Sequence, residues 1–353
     1  MNRGLTDKRM TTPQVSTIVL NWRSKETIED CIDSLLRQTY TPHEILLVDN
    51  ASCDGSLEIL RRKYSGKIRI LENFKNLGFS GGVNQGIRAS KSEYVALLNA
   101  DACAEPDWVA ELVRGFGVSK KVGMVTSKIY LLGRDKVFDN TGNNIYRDAC
   151  AKPRGRLEED RGQYDGERAV GYPSGCAAMY WRQMLDEIGL LDERMFAYGE
   201  DMDLALRGRL AGYECVFVPK AIVSHRLSGS LGPHSAMKLY YVERNRLWTL
   251  LKCFPGRYLL AAPFYTLWRL GHHLAAFFMK QGPTAEVLEK VSGAQLCVAV
   301  VRAYASTAVS LFYLIRQRKK VFSKRRISAK EFGRFFRDHP VTARDIAFGR
   351  MFS

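Results

Sequence analysis

VSTIVLN (15–21), IEDCIDSLLRQ (28–38), EILLVDN (44–50), SLEILRRKY (56–64), KIRILEN (67–73), GGVNQGIRAS (81–90) and EYVALLNAD (93–101) alternate short β-branched runs with helical stretches. That order is βαβαβαβ. The runs IVL, ILLV and YVALL are apolar without alternation, as strands covered on both faces are, and right-handed crossovers join such strands into a parallel sheet. The fold expected is therefore α/β: a doubly wound, mostly parallel sheet with flanking helices. Its ligand belongs beyond the carboxyl ends of the strands, where Asn21, Trp22, Asp49, Asn50, Asn99 and Asp101 fall.

Further along, a helix is expected near Trp108 to Phe116 and a strand at VGMVTSKIY (122–130), while the polar stretch from Asn143 to Arg168 reads as a surface excursion. Order resumes with AVGYPSGCAAMYWR (169–182), a helix at EDMDLALRGRLAG (200–212) and a strand at YECVFVP (213–219), ahead of His225. Residues 1–14 form a basic extension, 15–253 one α/β domain, and 254–353 a basic, amphipathic helical region. The opening MNRGLTDKRMTTPQ has no apolar core of a secretory signal, so a cytoplasmic setting is expected.

Composition narrows the class. At 353 residues, 46% hydrophobic and 25% charged, wholesale disorder is excluded, and 29 Gly with 11 Pro exclude a collagen-like chain. Eight scattered cysteines without a CxxC pair indicate neither a zinc knuckle nor a disulfide scaffold. The net charge of +16 sits in the tail: from Lys252 onward 18 Lys and Arg face 5 Asp and Glu. There, YLLAAPFYTLWRLGHHLAAFFM (258–279) is interrupted by Arg269, His272 and His273, and VSGAQLCVAVVRAYASTAVSLFYLI (291–315) by Gln295 and Arg302. A central Arg costs a spanning helix roughly 2.5 to 3.5 kcal/mol, so helices lying in the headgroup plane are expected instead. The cations of RQRKKVFSKRR (316–326), from Arg316 and Arg318 through Lys319, Lys320 and Lys324 to Arg325 and Arg326, then read as facing an anionic membrane rather than nucleic acid; the alternative is two core helices of a helical subdomain with a solvated basic face.

Four motifs carry candidate chemistry. Asp49 ends a buried strand, where its carboxylate accepts from a ribose or base, or caps the next helix. NLGFSGGVNQG (76–86) opens a helix with small residues suited to a diphosphate; its place after the third strand argues against a dinucleotide fingerprint. Asn99-Ala100-Asp101 exits the fourth strand with one carboxylate, which reads either as a turn or, with phosphate oxygens and His225, as a site for Mg²⁺ or Mn²⁺; a lone His is equally read as structural. Glu200 and Asp201 open a helix, with Asp203 two residues on; they complement the helix dipole or serve as a general base.

Together, IVLNW, ILLVDNASCDGS, NLGFSGGVNQGI, VALLNADA, PSGCAAMYWR, FAYGEDMDLALR, the His225 segment and YYVERNRLWTLLK resemble the family 2 glycosyltransferases of the GT-A fold, above all the bacterial rhamnosyltransferase-like members. The resemblance covers residues 15 to about 250. It implies that Asn21, Trp22, Asp49, Asn76, Gly78, Gly81, Asn84 and Asn99 bind a nucleotide-sugar, with Trp22 on the base. It further implies that Asp101 and His225 hold the metal and that Asp201 is the base, with Glu200 beside it. One departure is plain: where the family's metal motif has a first acid, this chain has Asn99. The implied activity is inverting, metal-dependent transfer of a sugar, rhamnose among those indicated, from a dTDP- or UDP-linked donor to a lipid-linked or other glycan. The implied location is the inner face of the cell membrane, in polysaccharide assembly, and an oligomer is compatible with the pattern. Two rival readings are a transferase for a soluble or protein acceptor and a catalytically idle nucleotide-binding peripheral membrane protein.

Overall fold

The computed structural model describes residues 12–226, 235–282, 287 and 291–349. Its first half is the expected alternation: β1 (Val15–Asn21), α1 (Ile28–Leu36), β2 (His43–Asp49), α2 (Ser56–Tyr64), β3 (Arg69–Glu72), α3 (Gly78–Ala89) and β4 (Tyr94–Asn99). These four strands lie parallel in the order β3-β2-β1-β4, with Asn21 opposite Asp49. The carboxyl ends thus share one edge. Ile18, Leu46, Val48, Val95 and Leu97 pack on one face and Val15, Val19, Ile45, Leu47, Ala96 and Leu98 on the other, which is why the runs do not alternate.

Beyond β4 come β5 (Ala102–Ala104), α4 (Trp108–Phe116), β6 (Val122–Leu131), β7 (Phe138–Asn140), β8 (Asn143–Ile145), β9 (Ala151–Pro153), β10 (Ala177–Trp181), α5 (Arg182–Ile188), α6 (Glu200–Leu210) and β11 (Glu214–His225). β10 enters antiparallel between β4 and β6. Its leading residues therefore arrive where β4 leaves, and Asn99 N–H donates to the Cys176 carbonyl at 2.8 Å. β11 runs parallel to β6, bulges between Val218 and Ile222, and pairs antiparallel with β5 so that His225 lies opposite Ala102. A bulge that holds Pro219 is where a proline fits a strand, and it re-aims the strand end.

The surface reading of 143–168 is corrected. Ile145, Tyr146 and Ala149 are buried, and Asp148 is fully buried between Arg246 (3.5 Å) and Arg269 (2.8 Å). A buried carboxylate is tolerable only with such partners. Arg269 accordingly does not reach up to water, as a cation on a helix lying in the headgroup plane would; it docks its helix on Asp148.

That helix is α8 (Gly256–Phe278), after α7 (Ala236–Cys253) and before α9 (Gly293–Val309), α10 (Leu311–Ser323), α11 (Ala329–Asp338) and α12 (Ala343–Ala347). Phe254, Ala262, Val321, Phe332, Phe335 and Phe336 belong to the same core cluster as Ile18 and Leu97. The outer sides differ: Leu260, Phe264, Leu267, Trp268, Phe278, Val301, Val309 and Phe312 are all more than half exposed. No single described helix is long and apolar enough to cross a membrane; α9 and α10 pass only as a pair bent by 67°. The basic run is also less free than expected. Arg318 donates to the Leu251 and Phe254 carbonyls, Lys324 to the Glu187 carbonyl and Arg325 to the Ile327 carbonyl, while Arg326 pairs with Glu187.

Candidate active site

At the carboxyl edge, Asn21 donates to Asp49 (2.7 Å) and to Ser56 (2.8 Å), and Asp49 also accepts from the Ser52 hydroxyl (2.7 Å) and N–H (3.3 Å). Asp49 is 3% exposed, so most of its accepting capacity is used inside the protein. Trp22 is partly exposed beside Arg23, whose guanidinium lies 5.4 Å from the ring centroid. Asn99 is partly exposed, and its side chain has no hydrogen-bond partner among the described residues.

The reading of the 76–86 loop as a diphosphate cradle is corrected in part. Leu77 N–H donates to Asn50, Gly78 N–H to Asn76, and Ser80 N–H to the Phe196 carbonyl, so these helix-start donors are spent internally. Gly78, at φ +73°, would drive a Cβ to within 2.5 Å of the Phe196 ring, and one on Gly81 would meet Leu77 at 2.8 Å. These glycines serve close packing. Asn84 is likewise no ligand contact: it is 1% exposed and exchanges hydrogen bonds with the Leu191 backbone at 2.8 and 3.0 Å. An amide that bonds a ligand and one that bonds a neighbouring backbone look alike in sequence.

The β5/β11 pairing brings Asp101 to His225, with Nε2 to Oδ1 at 3.2 Å. On the other ring nitrogen, Nδ1 meets Asp139 at 2.7 Å, and Asp139 is in turn paired with Arg156. Asp139 was not singled out in the sequence because it sits in the polar text after β6. Burial pulls the His225 ring down, but Cys176 and Asp101 outweigh it and the ring is pushed up to about 10. Among the described residues no group of three or more His, Cys, Asp or Glu could hold an ion. The donor set nonetheless fits a divalent ion with few protein ligands: one carboxylate, one imidazole oriented by a second carboxylate, and positions left for phosphate and water.

Ser174-Gly175-Cys176 connects this pair to the acids of α6. Gly175 N–H donates to Asp201 at 3.1 Å, Met202 N–H donates to the other Asp201 oxygen at 2.7 Å, and the next residue, Cys176, contacts His225. Glu200 is 6% exposed and its Oε2 has no hydrogen-bond partner. Both carboxyls are raised: Glu200 by burial and by the Asp201 charge, Asp201 by burial against two backbone donors, to about 6. Asp203 goes the other way. Burial would raise it, but Lys252 at 2.7 Å and Arg207 at 2.9 Å hold it below the usual range. Within four residues the chain holds two acids poised to carry protons and one locked as an anion.

The approach to Glu200 is strained. Phe196 (φ 67°, ψ −66°) forms the positive-φ γ-turn, closed by Ala197 N–H to the Met195 carbonyl at 2.8 Å, and Tyr198 and Gly199 also have positive φ. α7 holds it. Asn245 donates to the Met195, Ala197 and Tyr198 carbonyls at 3.0, 2.9 and 2.6 Å, and Arg244 to those of Arg194 and Met195. These two residues lie in the quoted YYVERNR, where a buried Arg-Asn pair on a helix was the available signal. After His225 the Gly- and Ser-rich composition of Leu227 to Ser235 suits a loop that closes over a donor; residues 227 to 234 lie outside the described residues.

Comparison with known proteins agrees with this layout. Residues 16–189, just under half the chain, match the family described as Glycosyl transferase family 2. The poly-beta-1,6-N-acetyl-D-glucosamine synthase of Staphylococcus epidermidis is 24% identical over 211 residues, 59% of this chain and 48% of that one. An uncharacterized glycosyltransferase of Haemophilus influenzae is 34% identical over 103 residues, 29% of this chain and 32% of that one. The chain thus spans half or less of these curated relatives. Among solved structures, GalNAc-T7 with UDP, GalNAc and Mn²⁺ superposes with TM-score 0.58 at 15% identity, over 86% of this chain and 58% of that one. The mannosyltransferase PcManGT of Pyrobaculum calidifontis, with GDP-Man and Mn²⁺, gives 0.51 at 20% identity, over 89% and 86%. At these identities the likeness establishes the fold: GT-A-type α/β with a C-terminal helical region.

Proposed function

We propose that this chain, whose residues 16–189 match the family 2 glycosyltransferases, moves a hexosyl group from a nucleoside diphosphate donor to a hydroxyl of a lipid-linked glycan, with inversion, on the inner face of a membrane. A deoxyhexose such as rhamnose is the sugar that the sequence resemblance favours. The observation that carries the reading is the junction at Gly175-Cys176, which sets a half-buried Asp201 beside the Asp101 and His225 pair. Asp201 is favoured over Glu200 as the base because it is partly exposed and each of its oxygens meets a single backbone donor, leaving room for an incoming hydroxyl.

In the proposed step Asp201 takes the acceptor proton as the acceptor oxygen bonds to the anomeric carbon. The bond from that carbon to the diphosphate oxygen breaks, and the electron pair leaves with the nucleoside diphosphate. A divalent ion held by Asp101 and His225 would neutralise the departing charge. Asp139 keeps a hydrogen on Nδ1 and so fixes the ring with Nε2 toward Asp101. Trp22 offers a face to the base, and Asn21 with Asp49 shapes the floor beneath it.

Donor turnover with a panel of nucleotide-sugars, with Mn²⁺ or Mg²⁺ and lipid-linked acceptors, tests the whole reading; binding without consumption of any donor would overturn it. For the metal pair, Asp101→Ala should weaken Mn²⁺-dependent binding of UDP or dTDP about 10- to 100-fold by calorimetry. Asp201→Asn should leave that binding nearly unchanged. Equal loss in both variants would contradict the division of roles.

The membrane reading rests on the exposed apolar sides of α8, α9 and α10 together with the tail's excess of cations. Deleting the chain after about residue 256 would strip Phe332, Phe335 and Phe336 from the main core and take Arg269 from the buried Asp148, so point substitutions are the cleaner test. Phe264→Glu with Trp268→Glu, both more than half exposed, should lower flotation with anionic vesicles at least tenfold while melting stays unchanged. Undiminished flotation would remove lipid from the proposal.

A further inference from the structure

A cavity of about 570 Å³ lies between α10 and the segment from Ile188 to Arg194, and none of Asp101, Glu200, Asp201 and His225 lines it. Arg88, Arg194, Lys320 and Lys324 line it, with the buried Arg207 and Lys252 in its wall. Its acids are already committed. Asp192 accepts from Lys252 at 2.7 Å and from the Tyr313 hydroxyl at 2.8 Å, and Glu193 accepts from Arg88 at 2.6 Å and from Asn84 at 3.0 Å. Its carbonyls are committed too: Arg207 donates to those of Ile188, Gly189 and Leu190 at 2.8 to 2.9 Å.

Three cations remain over. Arg194 lies with its guanidinium 4.1 Å from the Tyr313 ring centroid and has no carboxylate partner among the described residues. Lys320 has no ion-pair or hydrogen-bond partner among them, and Lys324 has only the Glu187 carbonyl. The three charges come from two elements facing each other across the space, Arg194 on one wall and Lys320 and Lys324 one turn apart on the other. One planar fork and two mobile point charges suit an anion with oxygens on several sides and more than one negative charge, which a single carboxylate is not.

We propose that this cavity binds a phosphate-bearing anion, a phosphate monoester or a diphosphate, at a site separate from the donor crevice. The ligand is held by Arg194, Lys320 and Lys324, while Lys252 and Arg88 keep the neighbouring Asp192 and Glu193 from competing. Phosphate of this kind reaches the protein either free in solution or as the headgroup of a lipid, and the test separates the two.

The full-length protein is titrated calorimetrically with inorganic pyrophosphate in the presence of EDTA, at low and at physiological salt. In parallel it is floated with phosphatidylcholine vesicles with or without phosphatidic acid. Lys320→Gln with Lys324→Gln should weaken pyrophosphate binding at least tenfold. Arg316→Gln with Lys319→Gln removes the same charge from residues outside the cavity and should leave that binding within twofold. If the first variant also loses its preference for phosphatidic acid, the ligand is a lipid headgroup; if the preference survives, it is a soluble phosphate, and both results support the site. Equal weakening by the two double variants, loss of vesicle binding without loss of pyrophosphate binding, or no pyrophosphate binding by the unaltered protein would each overturn it. All four lysines and arginines are exposed or half-exposed, and unchanged melting confirms that each variant is folded.

Discussion

Asp201→Asn should reduce turnover by about 10²- to 10⁴-fold, the usual contribution of a positioned general base, and at the same time make the protein harder to unfold. The two effects share a cause. Burial raises the Asp201 carboxyl to about 6, so the folded chain holds a proton there that the unfolded chain releases near pH 4. The stability linked to that proton is fully present below the unfolded value and is lost as pH rises through about 6. At pH 8 the native protein therefore carries an unfavourable buried charge, which the amide removes. The gain should be on the order of 1 to 3 kcal/mol at pH 8, shrinking toward zero at pH 4. Denaturant melts at the two pH values check this. Activity of the unaltered protein should fall about tenfold per unit below pH 6, as the base becomes protonated. Loss of turnover with no pH-dependent gain in stability would mean that burial does not raise the Asp201 carboxyl.

Lys252→Ala should destabilise the fold by about 3 to 5 kcal/mol, the range for removing one partner of a buried ion pair. Lys252 is 2% exposed and meets Asp203 and Asp192, each at 2.7 Å. Its own burial would lower its pKa, but the two carboxylates outweigh that and raise it, so it stays charged. Without it Asp203, two residues from Asp201, retains Arg207 and the weak Cys253 thiol donor, and Asp192 retains only hydroxyl and backbone donors. Lys252→Met should cost nearly as much, which would assign the loss to the orphaned charges rather than to missing volume. Chemical denaturation measures both. A change below about 1 kcal/mol for either variant would show that water or rearrangement satisfies the acids.

How much of this was legible in the sequence depended on whether a local pattern existed. Seven elements from β1 to β4 were readable because buried parallel strands are uninterrupted apolar runs, and the ends of those runs marked the edge where the site forms. The direction of β10 had no local signature: AAMYW reads the same running either way. Asp148 looked like part of a polar surface because its partners lie far along the chain, Arg269 being 121 residues away. For the same reason Arg269 looked like a blemish in an apolar helix when it is the helix's anchor. Asp101, His225, Glu200 and Asp201 were found as residue types at strand and helix ends. Their meeting at Gly175 and Cys176 depends on three separate strand pairings, which no single segment reveals. Asn84 and the glycines of the 76–86 loop were misassigned because tight packing and ligand approach both select amides and small residues.

The bulge around Pro219 gives β11 a property that its side chains do not show. Successive residues of a strand point to opposite faces, so adding or removing one residue between Ala221 and His225 would turn the imidazole away from Asp101 while leaving every functional group in the chain. This stretch is therefore fixed in length as well as at Ala221 and Val223, which are fully buried, and an alignment gap there would identify a descendant in which the imidazole and Asp101 no longer meet.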